Sequence, residues 1–366
     1  MKIFGIIIIL IYLITNLYVG HKLYNFFKQM YKKLNVYRFL IIYSLIVIIS
    51  IISFRKITGT FGNIIGNIGM IYIGLFAYLL LLFLIKDIIN IFIKIPKKTN
   101  IILTNLIVII SLTTTIYGVI NAKYIKETNY KIKDEEIKNS YTIVLITDIH
   151  LGAISSEQNF KKIIRKINKT NPDIVCIVGD MFNDDYNTIN KPNELVKEMK
   201  KIKTKYGVFM SLGNHDSGKD FDKMKEFIKK SNINLLNDEY VIINNDFILL
   251  GRVDATPIGS FGEIKRKNTK KLLKSIEKDM PIIVMDHNPY NIKEYDKTIN
   301  LLLSGHTHKG QMFPGNIVTK NMYITDYGLY NKSKKYPTTI VSSGAGTWGM
   351  PMRVGTSSEV VSIKIN

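Results

Sequence analysis

Over the first 120 residues, polar positions thin out into four long apolar runs, Ile3–Val19, Phe39–Phe54, Ile68–Ile85 and Ile101–Ile120. Each approaches the ~17–25 residues that a membrane helix needs. None carries a polar face at helical spacing, as a soluble bundle would require. No small-residue cleavage site follows the first, so it does not read as a signal peptide. The expectation is an all-α bundle of four transmembrane helices. Gly62 and Gly66, four apart near the third run, suggest close helix packing or a loop. Beyond residue 140 the pattern changes. Short apolar runs at Thr142–Ile146, Ile174–Val178, Gly207–Met210, Ile282–Met285 and Leu301–Leu303 read as buried strands. Lys-rich segments with apolar residues at helical spacing, such as Phe160, Ile163, Ile164 and Ile167, lie between the early ones. Strands alternating with helices predict sheets covered by helices. The organisation expected is a four-span membrane domain over 1–120, a linker over 121–140 and a catalytic domain over 141–366, long enough for one α/β core.

Charge refines this division. Of a net charge of +21, residues 1–140 hold 17 of the 50 Lys and Arg but only 5 of the 29 Asp and Glu. More than half of the excess therefore flanks membrane spans, which weakens a nucleic-acid reading of the basic pI and favours anionic headgroups. An even number of spans puts the N-terminus and the catalytic domain on one side. Lys22, Lys28, Lys32, Lys33 and Arg38 follow the first run, and Lys86, Lys94, Lys97 and Lys98 the third; only Arg55 and Lys56 follow the second. Basic short loops stay in the cytoplasm, so the catalytic domain is expected outside a multi-pass cell-membrane protein. Lys123, Lys126, Lys131, Lys133 and Lys138 pull the other way.

The chemistry sits at the strand ends. Five of the six histidines fall in short strings that follow the apolar runs: Asp148-Ile149-His150, Gly213-Asn214-His215-Asp216, Asp286-His287 and Gly305-His306-Thr307-His308, joined by Gly179-Asp180. His21, outside them, reads as an interfacial residue. Carboxylate and amide oxygens with neutral imidazoles suit Mn, Fe, Zn or Mg, and the one cysteine, Cys176, lies inside an apolar strand. Seven candidate ligands exceed what one ion needs. They fit two ions sharing a carboxylate, the arrangement that clamps both oxygens of a phosphoester displacement. Residues i and i+2 of an extended strand end point to one side, so Asp148 and His150, and likewise His306 and His308, are each expected to reach one metal centre. Glycines before ligands allow a close backbone approach.

In this order the strings D-x-H, GD, GNHD, a lone His and G-H-x-H resemble the signature of the calcineurin-like metallophosphoesterase superfamily. The tail from Ser342 to Gly355 is similar to small membrane-associated bacterial members of the YkuE/YaeI type. The resemblance runs from about Tyr141 to the C-terminus. It implies a four-layer α-β-β-α sandwich behind the membrane bundle, and two divalent metal ions. It makes Asp148, His150, Asp180 and His308 ligands of one ion, with Asp180 bridging to a second that Asn214, His287 and His306 complete. His215 is then the catalytic group facing the leaving oxygen. Many relatives place an Asp three residues after the bridging one to partner that histidine; here the position is Asn183, followed by Asp184 and Asp185.

The leading expectation is a membrane-anchored dinuclear phosphoesterase acting on a phosphomono- or diester. The substrate expected is a phospholipid or lipid-linked one, because the aromatic, Lys-dotted stretch Met312–Tyr336 follows a metal ligand directly. A non-catalytic membrane sensor or scaffold would be expected to have lost ligands or His215, and a nuclease would need a basic strip interleaved with stacking aromatics. Neither feature is found, and no nucleic-acid partner is expected. Asp216 suits a supporting or helix-capping role, and Arg353 either substrate phosphate or solvent.

Overall fold

The computed structural model describes residues 2–53, 59–153, 157–260, 262–276 and 279–366. Phe54, Arg55 and Lys56, which end the second apolar run and carry the loop behind it, lie outside the described residues. Contacts divide the chain into two units, Met1–Val119 and Ile120–Asn366.

In the first unit each apolar run becomes one helix: α1 (Lys2–Met30), α2 (Val36–Ser53), α3 (Gly59–Phe92) and α4 (Lys97–Ala122). All four are long and apolar enough to cross a membrane. Asn35 caps α2, its side-chain oxygen accepting from the Tyr37 and Arg38 amides. Outer faces expose residues such as Ile14, Leu17, Ile42 and Ile109. The interior joins Val19, Val47, Phe76, Leu79 and Phe83. Within it Tyr72 donates to Asn16 Oδ1 (2.6 Å) and Tyr43 to the Asn16 carbonyl (3.0 Å). Lipid offers such groups no water, so they are satisfied inside the bundle. Gly66 lies within α3, and a Cβ there would meet nothing within 4 Å among the described residues; close contacts are found instead at Gly20, against Tyr43, and Gly69, against Ser53.

The second unit carries β1 (Ile125–Ile132), β2 (Tyr141–Ile146), α5 (Glu157–Lys169), β3 (Ile174–Val178), α6 (Pro192–Met199), β4 (Gly207–Ser211), α7 (Phe221–Lys230), β5 (Asn234–Leu235), β6 (Glu239–Ile243), β7 (Phe247–Gly251), α8 (Thr269–Lys274), β8 (Ile282–Met285), β9 (Leu301–Ser304), α9 (Gly315–Met322), β10 (Gly328–Tyr330), β11 (Thr338–Val341) and β12 (Ser358–Ile365). Two six-stranded sheets result, ordered β1-β12-β2-β3-β4-β5 and β10-β11-β9-β8-β7-β6. Strand alternation builds the layers. Ile143, Leu145, Ile174, Cys176 and Val178 meet Phe247, Leu249, Ile283, Met285, Leu301 and Leu303 between the sheets. The alternate residues Val144, Ile146, Val175 and Ile177 pack against Phe160, Ile163 and Ile167 of α5 and Phe227 of α7. Leu250, Val284 and Leu302 face Leu272 of α8 on the far side. The result is an α-β-β-α sandwich.

The stretch expected as a linker contains β1, paired in parallel with β12 from Ile125↔Ser358 to Ile132↔Ile365. Only its two ends are buried. A half-exposed edge strand of the sequence IKETNYKI lacks the apolar run by which its neighbours are recognised.

Candidate metal centre

Each expected ligand sits directly past the carboxyl end of a parallel strand: Asp148 and His150 past β2, Asp180 past β3, Asn214 past β4, His287 past β8, and His306 and His308 past β9. The backbone there is not the extended strand end that the i, i+2 spacing suggested. Asp148, His150, Asp180, His306 and His308 all have φ between 49° and 68°, a left-handed conformation costing roughly 1–2 kcal/mol per residue. Backbone bonds between adjacent loops hold it: Asp148 N to Gly179 O and His150 N to Asp180 O, both 3.1 Å. Two of the intervening approaches require glycine. A Cβ at Gly213 would collide with the Asp180 carboxylate, and one at Gly305 with Thr147 and Asp148.

Two groups of ligand atoms result, Asp148/His150/His308, all buried, and Asp180/His287/His306, in which His306 is half-buried. Asp148 and His150 do share a group, but His306 and His308 are divided between the two, because the left-handed turn through them rotates the second ring away from the first. In the first group His308 Nε2 lies 3.0 Å from His150 Nε2 and 3.2 Å from Asp148 Oδ1. In the second His287 Nε2 lies 3.0 Å from Asp180 Oδ2, and His306 Nδ1 lies 2.9 Å from Asn214 Oδ1. Asp180 Oδ2 is also 3.8 Å from His150 Nε2, so one carboxylate oxygen faces both groups.

His215 stands apart from these clusters. Its amide donates to Asp180 Oδ1 (2.9 Å), and its ring Nδ1 meets Asp184 Oδ1 at 2.8 Å. The partner is thus Asp184 and not Asn183. The left-handed Asp184 (φ 57°) donates its own amide to the His215 carbonyl (3.1 Å), which aims its carboxylate at the ring. Burial draws the His215 pKa down, but the Asp184 hydrogen bond and the charges of Asp180, Asp184 and Asp216 outweigh it and leave it raised. Asp216 does not cap α7. It is buried, and its oxygens accept from the Phe182 and Gly213 amides, both at 2.9 Å, tying two ligand loops together.

Residues 141–310 match the calcineurin-like phosphoesterase family model. An uncharacterized metallophosphoesterase of Campylobacter jejuni is 30% identical over 380 aligned positions, covering 99% of this chain and 98% of that protein. The chain belongs to the calcineurin-like metallophosphoesterase family. A transmembrane protein with metallophosphoesterase domain from Danio rerio is 30% identical over 71% of this chain and 62% of its own length. A metallophosphoesterase of Aquifex aeolicus is 30% identical over 66% of this chain and 90% of that protein. This metallophosphoesterase is therefore a metal-dependent phosphoric ester hydrolase and a membrane protein.

The donor set of the metallophosphoesterase fits divalent ions. His287 Nδ1 is 2.9 Å from the Val178 carbonyl, which can only accept, so Nδ1 carries the hydrogen. Nε2 then turns a lone pair onto a carboxylate oxygen 3.0 Å away, and it has no hydrogen-bond partner; neither has Asp148 Oδ1. Such a buried pairing calls for a proton or a cation between the two atoms. Ligands at about 2.0–2.2 Å from an ion lie roughly 3–3.5 Å from one another, which is the spacing seen. The charges agree. Burial draws His287 down, but the Asp180 and Asp148 carboxylates raise it well above its ordinary value and it in turn holds Asp180 to about 2, so a positive charge is favoured between them, the place a bound cation takes from the proton. Burial pushes His306 and His308 down to about 4, the neutral form that binds metal.

Arg353 reaches neither substrate nor solvent. It is fully buried, and its Nη2 donates to the Ser343 (2.6 Å) and Gly346 (2.7 Å) carbonyls behind His308. Of the cleft wall, the stretch Met312–Tyr336 was singled out in the sequence, but Trp348 was not. An open cleft of about 370 Å³ is lined by His150, Asp180, His215, Met322, Tyr323 and Trp348 among others. Trp348 lies 5.9 Å from the His215 ring, centroid to centroid. Gln311 pins its loop, donating to the Trp348 carbonyl and accepting from the Trp348 amide, each at 2.8 Å. A lone Trp among glycines, Gly346-Thr347-Trp348-Gly349, was the available signal.

Proposed function

We infer that this metallophosphoesterase holds two divalent ions, on Asp148, His150, Asp180 and His308 and on Asp180, Asn214, His287 and His306, and hydrolyses a phosphoester carried by a lipid. The two-ion reading rests on Asp180 Oδ2, which faces a histidine of each group. When bound, such ions neutralise phosphate charge and activate water near neutral pH. The chain's own residues do the rest. Asp184 holds the His215 Nδ1, leaving Nε2 as the ring atom for a leaving oxygen in the cleft. Trp348 forms the wall on that side.

The lipid reading is supported by the cleft's outer wall. No residue of α9 is buried, and Phe313, Ile317, Val318 and Met322 are each at least half exposed beside the cleft residues Met322 and Tyr323. Soluble proteins rarely leave such a cluster bare beside an active site. β1 begins only two residues after α4, at Ile125. Lys123 lines a shallow groove with Lys162, Arg165, Lys166 and Lys169, suited to anionic headgroups. The test is metal-loaded full-length protein incubated with membrane lipid extract and followed by phosphorus NMR. Change in one lipid phosphoester signal is expected. Faster turnover of single-stranded DNA than of any lipid or of bis(p-nitrophenyl) phosphate would favour a nuclease, and no turnover of any would favour a scaffold.

Asp184→Asn should keep both ions while slowing hydrolysis about 10-fold or more, the scale of losing an orienting partner. The analogous Asn183→Ala should be near silent. Metal analysis and kcat on the two variants check this, and a larger loss in Asn183→Ala would return the partner's role to that position.

We propose that the catalytic unit lies on the extracytoplasmic side, a reading supported by the basic first and third short loops. A cysteine replacing the exposed Glu135 is then labelled in intact cells by an impermeant thiol reagent. The single native thiol, Cys176, is buried and adds no background. Labelling only after lysis would move the unit to the cytoplasmic face.

A further inference from the structure

Where α1 and α3 finish and α4 begins, the helices enclose a second cavity of about 370 Å³, which shares no residue with the metal centre. Lys22 and Lys28 of α1, Lys86 of α3 and Lys97 of α4 line it, with His21 beside them, and none of the lining residues is acidic. One carboxylate stands nearby: Asp87 is 2.6 Å from Lys22 Nζ and 3.8 Å from Lys86 Nζ, and accepts from the Tyr18 hydroxyl at 2.7 Å. Among the described residues, Lys28 and Lys97 take part in no ion pair. α4 also opens here. Lys97, Asn100 and Ile101 line the cavity, so the positive end of a 26-residue helix faces the same space.

Lysines at helix ends have a plain explanation, since they set the orientation of the spans. That covers Lys28 and Lys97. It does not cover Lys86, which lies well inside the end of α3 at Phe92 and is only 6% exposed. A buried ammonium in a membrane bundle is costly and has three donors to satisfy. Two are used, on Asn100 Oδ1 (2.8 Å) and Thr104 Oγ1 (3.1 Å). For the third, the Asp87 oxygen at 3.8 Å is beyond hydrogen-bond reach. An anion in the cavity would supply that acceptor and balance the surplus lysines.

We propose that this cavity binds the phosphate of an anionic phospholipid headgroup. The phosphodiester accepts from Lys86, Lys97 and the first turn of α4. Basic pockets between membrane helices are suited to such headgroups.

The test uses the full chain in nanodiscs of phosphatidylcholine with a minority of phosphatidylglycerol, and native mass spectrometry to count the lipid retained. One phosphatidylglycerol per chain is expected to stay in preference to phosphatidylcholine, and to raise the thermal midpoint of the protein. Lys86→Met and Lys97→Met should each cut that retention about tenfold, the scale of a lost charge-assisted hydrogen bond. Lys94→Met and Lys98→Met remove the same charge outside the cavity and should leave it unchanged. Because Lys97 is exposed, its variant answers even where Lys86→Met does not accumulate. Equal losses in all four variants, or no preference for phosphatidylglycerol, overturn the proposal. So does inorganic phosphate that stabilises the protein as strongly as the lipid and displaces it.

Discussion

Asp180→Asn is expected to strip both ions from the protein and to lower hydrolysis of bis(p-nitrophenyl) phosphate by well over 10²-fold, while leaving the fold intact. The substitution is nearly isosteric, and an amide oxygen at this position still accepts from the His215 amide as Asp180 Oδ1 does. What changes is the other end of the side chain. Asp180 Oδ2 faces His287 Nε2 at 3.0 Å and His150 Nε2 at 3.8 Å, so among the described residues this carboxylate oxygen is turned toward both candidate groups. An amide N–H there donates directly to the His287 lone pair, so the pairing that calls for a cation is satisfied without one. The apo protein should therefore be no less stable, and its thermal midpoint should stop responding to added Mn²⁺. Loss of a terminal ligand, as in His306→Ala, should remove one ion and cost less. Metal analysis beside kcat decides the matter. Two ions retained in Asp180→Asn with most of the rate would show that this carboxylate is not shared.

His215→Ala should give the second largest effect and the opposite signature, with both ions retained and hydrolysis slowed by roughly 10²–10⁴-fold, the scale of a positioned general acid. The ring lines the cleft outside both ligand clusters, with Nδ1 committed to Asp184. The loss should be largest for alkyl phosphoesters, whose leaving oxygen needs a proton, and should shrink for p-nitrophenyl esters, whose phenolate scarcely does. Metal content and the ratio of the two losses are the measurements. An equal loss across leaving groups, or the departure of one ion, would make His215 a structural residue or a ligand.

The chain order alone determined a good deal here. The four apolar runs and the five short strand runs correspond to helices and strands because burial on all sides leaves an unbroken apolar stretch, a signal that needs no partner to be read. The candidate ligands were equally visible, since a site at strand ends writes its residues next to those stretches. Other features depended on what the chain meets in space. β1 is half exposed and gains its place only by pairing with β12, more than two hundred residues away. His306 and His308 separate because left-handed turns, held by bonds between loops, override the strand pleat from which their shared direction was expected. Asp184 displaces Asn183 as the partner of His215 through a backbone bond between two distant loops. Arg353 is a brace because carbonyls from the 343–346 turn converge on it. Local composition carries burial and chemistry, whereas direction, partnership and accessibility arise only when segments far apart in the chain close on one another.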